Sequence, residues 1–373
     1  MRTVRRLLYR DIGWSVLFVA LAFLSLFYFI DFVDELEDVG RSGYTLGHAV
    51  LRSLLELPGH FYELFPIAVL IGTIYAMARL AQSSEFTILR TAGLGPGRAL
   101  ALLALPGLVF ALMTFVVGDF VTPYTEARAV AVKAQARGGG GLALGGAGAW
   151  LKDRRSTPDG ERAVSVNVAA TAGAGKLLGV RIFEFDLEGR LRSRIEAASG
   201  QVRDDGSWLL RRVHRTDWPT PQGASEGQGL HQQSLAEMRW SSALEASVVA
   251  AALLPAQTMS TVELWRYAHH LADQEQAAQR YEIQFWKKAL YPLACVVMVA
   301  LALPFAYLHA RAGGVSFKVF GGIMLGISFV LLNNAAGHLG MLRLWTPWMV
   351  AAAPSLLYLL ISMAAFAWLV RYR

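Results

Sequence analysis

The residue types that could do catalytic chemistry in this chain are few and poorly clustered. His60 and Glu63 lie one helical turn apart and could share a metal ion, but no third ligand is near them in sequence. The segment 173–177, Gly-Ala-Gly-Lys-Leu, lacks the first glycine and the hydroxyl residue that a phosphate-binding Walker loop needs. We therefore expect a turn at 173–177 and interface polar residues at His60 and Glu63. The other candidate acids or bases are four histidines that form no recognisable constellation: His214, His231, His269 and His270.

The elements that position every side chain are six apolar spans, three in the first third of the chain and three in the last. A bilayer core about 30 Å thick needs roughly 20 apolar helical residues to cross it. The second span has the shortest uncharged stretch, so its flanking charges must reach the two interfaces. The spans are 12–30 and the stretches bounded by Glu63 and Arg79, Arg98 and Asp119, Lys288 and His309, Lys318 and His338, and Arg343 and Arg371.

Basic residues alternate between the two sides of the membrane as six crossings require. Lys and Arg precede span 1, separate spans 2 and 3 and spans 4 and 5, and end the chain. Positively charged loops stay cytoplasmic, so we expect both termini in the cytoplasm and the large insert outside. The formal net charge of +7 reflects this bias, and nucleic acid is not expected as a partner.

Ion-coupled carriers place ionisable residues or broken helices at the middle of the membrane. The six spans carry no Asp, Glu, Lys or Arg, which argues against a secondary transporter. Span 5 instead contains Gly322 and Gly326, four residues apart, with Gly321 beside them. Such a face of small residues lets another helix approach closely or lets a gate rearrange.

The insert between spans 3 and 4, residues 122–257, has the pattern of a β domain. Two short runs around an Asp/Glu/Gly turn predict a hairpin over 180–195. The only cysteine, Cys295, lies in span 4, so the insert must fold without disulfides or thiolate metal sites. We expect a jellyroll-like fold, with loops at 138–148 and 218–233. Further strands are predicted at 163–169, at 200–203 paired with 207–213, and at 235–240.

A helix is expected to begin directly after the insert. Ser260 and Glu263 have the spacing of a capping box, in which each side chain satisfies the other's backbone N–H. Leu264, Ala268 and Leu271 follow at helical spacing. A second apolar stripe, Tyr281, Phe285 and Trp286, leads into span 4.

The loop between spans 2 and 3 predicts a short helix over about 84–93. Ser84 can cap it, Glu85 suits the positive end of the helix dipole, and Gly93 stops it. So short a helix is not stable alone in water, and Phe86 and Leu89 would fill a cleft on a partner or on the membrane surface. The residues alone leave both options open.

This loop, Leu80-Ala-Gln-Ser-Ser-Glu-Phe-Thr-Ile-Leu-Arg-Thr-Ala-Gly93, resembles the coupling segment of the YjgP/YjgQ permeases, the membrane subunits of the lipopolysaccharide-export ABC transporter. Gly118-Asp-Phe-Val-Thr-Pro123 is similar to that family's exit from span 3, and Phe285-Trp-Lys-Lys-Ala-Leu-Tyr-Pro292 to its approach to span 4. The segment 32–40 resembles the G-type subunit, with the F-type paralogue as the alternative. The resemblance covers nearly the whole chain.

The resemblance implies an inner-membrane permease of a Gram-negative bacterium that is not an enzyme and binds no cofactor. ATP and Mg would be bound by a partner ABC ATPase dimer. Further implied partners are the F-type paralogue, a single-span C subunit, periplasmic bridge proteins and lipopolysaccharide. The domains would be 1–121 with spans 1–3 and the coupling helix, 122–257 as the periplasmic β domain, and 258–373 with linker helices and spans 4–6. The implied ATPase-coupling residues are Ser84, Glu85, Phe86, Leu89, Arg90 and Gly93.

Spans 1 and 5 would line the lipopolysaccharide cavity, but the sequence departs from the family there. Family members often carry lysines near the end of span 1, whereas this chain has acidic residues that would repel lipid A phosphates. We expect Arg41, Arg52 and the partner subunit to supply the positive charge; bridging divalent cations or an unusual headgroup are the alternatives. A membrane-anchored scaffold without transport remains the rival function. The implied cavity residues are Phe27, Ile30, Asp31, Asp34, Arg41, Arg52, Gly322, Gly326 and Phe329.

Overall fold

A computed structural model divides the chain into two compact units. The first comprises Met1–Glu37, Ser53–Glu126 and Glu282–Arg373, and the second Asp38–Arg52 and Ala127–Tyr281. Each unit has its own core. The structure describes residues 2–41, 43–83, 91, 95–136, 142–143, 148–157, 160–171, 176–203, 207–218, 230–241, 259–273, 278–307, 315–343 and 345–371.

The first unit is built from long apolar helices. Five helical segments are individually long and apolar enough to cross a membrane, and a sixth crossing results if the helices Gln279–Leu290 and Leu293–Phe305, bent by 51°, form one span. This confirms the prediction of a helical membrane protein with three spans on either side of an insert. The helices are α1 (Arg2–Leu36), α2 (Leu46–Gln82), α3 (Pro96–Val116), α4 (Thr122–Ala136), α5 (Thr261–Asp273), α6 (Gln279–Leu290), α7 (Leu293–Tyr307), α8 (Val315–Arg343) and α9 (Pro347–Arg371).

Helix α2 is the central helix of this unit. Its most apolar window is 78% buried, compared with 11% for that of α1. With 37 residues it is about 55 Å long, well beyond the thickness of a bilayer core. Glu63 and Arg79, which bound the short uncharged stretch of this span, are both exposed, so their charges lie outside the buried part of the helix.

The core of the first unit joins five helices around α2. Ile12 of α1, Ile74 of α2, Leu103 of α3 and Met298 of α7 are buried in one cluster. At Gly72 of α2, a Cβ atom would lie 2.6 Å from the backbone of α1, so a glycine permits this close approach. In a bilayer such contacts stabilise through van der Waals packing, because lipid is as apolar as the helices.

The segment at 118–123, similar to the family's exit from span 3, does not end the helix. A π-helical turn, Val117–Val121, follows α3, and α4 continues to Ala136. Gly118 lies in this turn, and the ring of Tyr62 from α2 occupies the space that a side chain at that position would need. The π-helical turn therefore lies where α2 presses most closely on the third span.

The second unit contains one antiparallel sheet in which successive strands are neighbours. Strands β1 and β2 both pair with β3, and the order then continues from β3 to β7. The sheet thus has six positions, with β1 and β2 sharing one. The strands are β1 (Leu142–Ala143), β2 (Ala149–Thr157), β3 (Gly160–Thr171), β4 (Lys176–Phe185), β5 (Leu191–Val202), β6 (Ser207–Asp217) and β7 (His231–Ser241).

One face of the sheet is buried, and the sheet curls around it. Trp208 and Trp240 fill this face with their rings edge to face at 5.5 Å. The indole N–H of Trp240 on β7 donates to Glu184 on β4 at 3.1 Å. On a flat sheet these strands would be about 14 Å apart, so the bond requires strong curvature. The expected antiparallel β insert is confirmed.

Most of the predicted strands are present with somewhat different bounds. The 180–195 hairpin corresponds to β4 and β5, joined by a turn at Gly189, which has φ +76°. Strand β5 is continuous to Val202, so two predicted strands are one, and it pairs with β6 as expected. The predicted loop 218–233 is wrong at its end, because β7 begins at His231. Most of the predicted loop 138–148 lies outside the described residues.

The predicted helix after the insert is α5, and its capping box is confirmed. The backbone N–H of Ser260 donates to the Glu263 carboxylate at 2.7 Å, and the Glu263 N–H donates to the Ser260 hydroxyl at 3.3 Å. The predicted apolar stripe of Leu264, Ala268 and Leu271 is buried. Local pairing of the two capping residues explains why sequence alone located this helix start.

Candidate functional site

The loop between α2 and α3 is described only at its borders. Ser83 donates its N–H to the Arg79 carbonyl at 3.0 Å where α2 ends, and α3 begins with Pro96 after an extended Gly95. Thr91 between them is helical and exposed. The predicted coupling residues Ser84, Glu85, Phe86, Leu89, Arg90 and Gly93 lie outside the described residues.

The helices that border this loop are tied to α1 by two polar contacts. Arg79 at the end of α2 donates to Asp11 of α1 at 2.8 Å. The hydroxyl of Tyr9, two residues earlier on α1, donates to the Leu102 carbonyl of α3 at 2.8 Å. A displacement of either border helix would therefore be transmitted to α1.

At the opposite end of α1, two of the predicted cavity residues contact one histidine of α2. Asp31 Oδ2 lies 2.7 Å from His60 Nε2, and the ring of Phe27 lies 5.0 Å from the His60 ring. The side chains of His60 and Asp31 are only 24% and 16% exposed. Between this contact and Gly72, α1 and α2 leave a small groove lined only by apolar residues. Its lining is Ala20, Phe23, Leu24, Phe61, Leu64, Phe65 and Ala68.

The acidic stretch after span 1 carries less free negative charge than its composition suggests. Asp31 pairs with His60, and Asp38 in the second unit lies 2.6 Å from the Lys133 ammonium and 3.7 Å from Arg41. Arg41 itself is 74% exposed. Asp34 and Ile30 are exposed, and Arg52 is partly buried. Two of the acids in this stretch thus have cationic or imidazole partners within their own unit.

The predicted cavity residues of α8 are packed against other helices. A Cβ atom at Gly322 would lie 2.6 Å from Ile74 of α2, and one at Gly326 would lie 2.5 Å from Ile67. Phe329 is buried, with its ring edge to face with that of Tyr358 on α9 at 5.2 Å. Helices α1 and α8 therefore both pack on α2, and Gly322 and Gly326 allow α8 to approach α2 closely.

Sequence reasoning missed the polar contacts that hold the bend between α6 and α7. Tyr291 at the bend donates its hydroxyl to the Glu63 carbonyl of α2 at 2.5 Å. On the preceding turn, the Lys287 ammonium donates to the Asn333 carbonyl of α8 at 2.9 Å and fits beside Gly337. These partners lie tens to hundreds of residues apart in sequence, so no local signal could have found them.

The described residues contain no group of three His, Cys, Asp or Glu side chains placed to hold a metal ion. His60 and Glu63, the pair considered from sequence, are therefore not joined by a third ligand within that part of the chain. The nearest partner of His60 is a carboxylate of α1, which serves helix packing. In the described part of the chain, the arrangement is one of helices packed around a small apolar groove.

Comparison with known proteins agrees with this architecture. Residues 6–371 match the family described as lipopolysaccharide export system permease LptF/LptG. The chain is 27% identical over 355 residues, 95% of each chain, to the lipopolysaccharide export system permease protein LptG of Escherichia coli K12. It is also 27% identical over 363 residues, 96% of each chain, to the LptG protein of Haemophilus influenzae. With five or six apolar spans, an inserted β domain and a family match over almost its full length, the chain belongs to the LptF/LptG family of lipopolysaccharide export permeases.

Proposed function

We propose that this chain is the G-type permease subunit that extracts lipopolysaccharide from the outer leaflet of the inner membrane and passes it to a periplasmic bridge. The observation that carries the choice of subunit is the similarity to two G-type relatives over at least 95% of the chain. The resemblance of segment 32–40, at the end of α1, to the G-type subunit supports the same choice. The alternative assignment within the family is the F-type paralogue.

The proposed complex contains an ABC ATPase dimer, an F-type paralogue, a single-span C subunit and periplasmic bridge proteins. The ATPase binds ATP and Mg, because this sequence lacks a Walker loop. The chain spans the inner membrane of a Gram-negative bacterium with both termini in the cytoplasm and its β domain in the periplasm, as its basic loops favour.

The segment 84–93 is proposed to seat in the ATPase as a coupling helix. Its borders support this role, since the Arg79–Asp11 and Tyr9–Leu102 contacts join α1, α2 and α3 at that end. Closure of an ATPase dimer would move the segment and, through these contacts, the cytoplasmic end of α1. Because helices are stiff, the motion would reach the far end of α1 at Asp31.

The substrate cavity is proposed to lie along α1 and α8, both packed on α2. The small groove between α1 and α2 is lined wholly by apolar residues, as the surroundings of acyl chains require, and Asp31 is hydrogen-bonded to His60 at its end. Arg41, which is largely exposed, and Arg52 are proposed to contribute positive charge, together with the partner subunit. Charge reversal of both arginines should then weaken lipopolysaccharide binding.

The test of the proposed function is ATP-driven lipopolysaccharide release from proteoliposomes that contain the whole complex. Glu85→Ala should reduce release at least tenfold while lipopolysaccharide still co-purifies with the complex. Glu188→Ala makes the same change in the turn between β4 and β5, where Glu188 is 66% exposed; it is the control and should release normally. If Glu85→Ala releases normally and the chain purifies without an ATPase, the scaffold function is correct. Mass spectrometry of the paralogue that co-purifies separates the G-type from the F-type assignment.

A further inference from the structure

Two aromatic rings form an exposed platform on the β domain. Trp150 of β2 stacks on Phe183 of β4 with ring centroids 5.9 Å apart and an interplanar angle of 22°. The two residues lie on either side of β3, where the strand register places the short side chains of Ser165 and Asn167 between them. Trp150 nevertheless remains 56% exposed. An aromatic pair that served only to cover β3 would not need so much of the indole to face water.

The platform lies on the face of the sheet opposite the core. Side chains alternate between faces along a strand, and the neighbouring row Leu151, Val166, Ile182 and Ile195 is buried. That inner face is filled by packed side chains, and its buried Glu184 carboxylate already has Arg162 and Trp240 as partners, so a further hydrated, charged group would lose its hydration there without compensation. A charged ligand of these strands must therefore bind on the outer face.

Cationic side chains surround the platform. The Arg194 guanidinium lies 5.9 Å from the centroid of the Phe183 ring. Lys152 and Arg194 belong to the same cross-strand row as Phe183, and Lys152 is exposed. Arg181, 59% exposed, lies in the next row, where Glu196 pairs with both arginines. Three cations against one carboxylate leave an excess of positive charge beside two ring faces.

We propose that this surface, Trp150, Phe183, Lys152, Arg181 and Arg194, binds the anionic saccharide headgroup of the exported lipid. A flat ring face is matched to the apolar C–H face of a sugar ring, and guanidinium groups bind phosphate or carboxylate oxygens through charge-assisted hydrogen bonds. The inference rests on the proposed function for the source of the saccharide. A protein partner is the competing occupant, but the excess charge and the absence of a large apolar patch among these residues favour a hydrated, anionic ligand.

The experiment uses the full-length chain in lipid nanodiscs and, as probe, the phosphorylated core oligosaccharide released from lipopolysaccharide by deacylation. Affinity is measured by isothermal titration calorimetry, with saturation-transfer NMR to identify the contacted sugar protons. Trp150→Ala and Arg194→Gln should each weaken binding at least tenfold, and enzymatic dephosphorylation of the probe should weaken binding to the wild-type chain. Trp150→Phe, which keeps a ring, should bind within threefold of wild type.

The matched control is Arg211→Gln. Arg211 is 60% exposed on β6 and pairs with Glu237 at 3.1 Å, so the charge change is the same on the same sheet. Its variant should bind the probe like wild type. Equal affinity of the wild-type, Trp150→Ala and Arg194→Gln chains would overturn the proposal, even where ATP-driven export is normal. Loss of a cross-link to a periplasmic protein in Trp150→Ala, with probe binding retained, would also overturn it and assign the surface to a protein.

The outcome separates the two proposals. Probe binding that depends on Trp150, in a chain that never co-purifies with lipopolysaccharide or an ATPase, would support the saccharide site and contradict the export function. Amide exchange of β2 and β4 in each variant verifies that the sheet is intact. If either variant loses amide protection in β2 or β4, Arg181→Gln is tested in its place. It removes a cation at the edge of the surface and should also weaken probe binding.

Discussion

Single residues decide the stability of the β domain where a charge is enclosed by the curled sheet. The Glu184 side chain is only 5% exposed and accepts hydrogen bonds from Trp240 Nε1 at 3.1 Å and from Arg162 at 3.2 Å. An enclosed carboxylate persists only when it is paired and hydrogen-bonded, since the cost of removing it from water is several kcal/mol. Glu184 thus joins β3, β4 and β7 across the inner face of the sheet.

Replacing Glu184 by alanine should destabilise the β domain by about 3 kcal/mol, because an indole N–H and a guanidinium then lose their acceptor. Hydrogen exchange of the β4–β7 amides in the full-length chain measures this loss. Glu196→Ala is the control: Glu196 is 40% exposed, and its removal should cost less than about 1 kcal/mol. Equal losses of stability in the two variants would show that the Glu184 hydrogen bonds do not stabilise the sheet more than an exposed ion pair does.

The turn between β4 and β5 should open in acid. Desolvation raises the pKa of Asp186, but hydrogen bonds from the backbone and side chain of Arg190, and the charges of Arg190 and Arg192, outweigh it and lower the pKa below 3.8. A carboxyl whose pKa is depressed by folding stabilises the turn above its unfolded pKa and loses this effect as the pH falls through the folded pKa. The turn should therefore weaken below pH 3.8, not above it.

Exchange of the Gly189 and Arg190 amides, corrected for intrinsic rates, reports this opening. Protection in the wild-type chain should decrease as the pH falls below 3.8. Asp186→Asn, which cannot titrate, should show lower protection at neutral pH and no further decrease in acid. A wild-type decrease that persists in Asp186→Asn would assign the pH dependence to another group.

At the scale of elements, the packing of helix α8 on α2 depends on which positions are glycine and not on how many glycines the helix contains. The ideal Cβ at Gly326 lies 2.5 Å from Cγ2 of Ile67 and 3.4 Å from its Cβ, close to the backbone of α2. At Gly321 the nearest atom is a ring carbon of Phe305 at 3.6 Å, an ordinary contact. A side chain at position 326 would therefore collide with α2, whereas position 321 has room for one.

Gly326→Ala should destabilise the helical unit by roughly 1–3 kcal/mol, because the added methyl group overfills a packed contact. Gly321→Ala should be neutral or stabilising by up to about 1 kcal/mol, since alanine favours the helix. Thermal unfolding of the chain in detergent, followed by circular dichroism, compares the two. Adding Ile67→Ala to Gly326→Ala should recover part of the loss. Equal melting temperatures for the two single variants would contradict the packing of α8 on α2.

The sequence predicted those elements that are determined by residues close together in the chain. Six spans follow from the length of apolar residues that a bilayer requires, and the start of α5 follows from a serine and a glutamate three residues apart. Strand β2 was missed because its charged run from Lys152 resembles a solvated loop, yet Asp153 within it is buried once β3 pairs alongside. Pattern alone cannot show a burial that a neighbouring strand creates.

The sequence predicted which helices carry the candidate site, but it did not predict which side chains contact one another there. The sequence indicates Asp31 only as a repulsive charge, whereas the structure places it in a hydrogen bond with His60, 29 residues away in sequence. Gly322 and Gly326 were correctly seen as a close-packing face, but which helix fills it depends on the order of helices in the bundle. A partner on another element is set by tertiary packing, which a single sequence does not encode in any local signal.

At the scale of the whole molecule, the lone cysteine makes topology directly measurable. Cys295 is fully buried in α7 and its thiol lies within hydrogen-bond distance of the Thr114 hydroxyl, at 3.2 Å, so a water-soluble reagent cannot reach it. The wild-type chain should therefore stay unlabelled by a membrane-impermeable maleimide. Any cysteine introduced at an exposed position then reports its own side of the membrane without background.

Leu187, 78% exposed in the β4–β5 turn, and Arg371, exposed at the end of α9, test the proposed orientation. Leu187→Cys should be labelled in intact spheroplasts, because the basic loops hold the opposite side of the membrane in the cytoplasm. Arg371→Cys should be labelled only after lysis. Labelling of Arg371→Cys in intact spheroplasts would show that the topology is the opposite of the proposed one. The β domain would then lie in the cytoplasm, where it could not receive lipid from the outer leaflet. Orientation therefore decides whether the proposed extraction is possible at all.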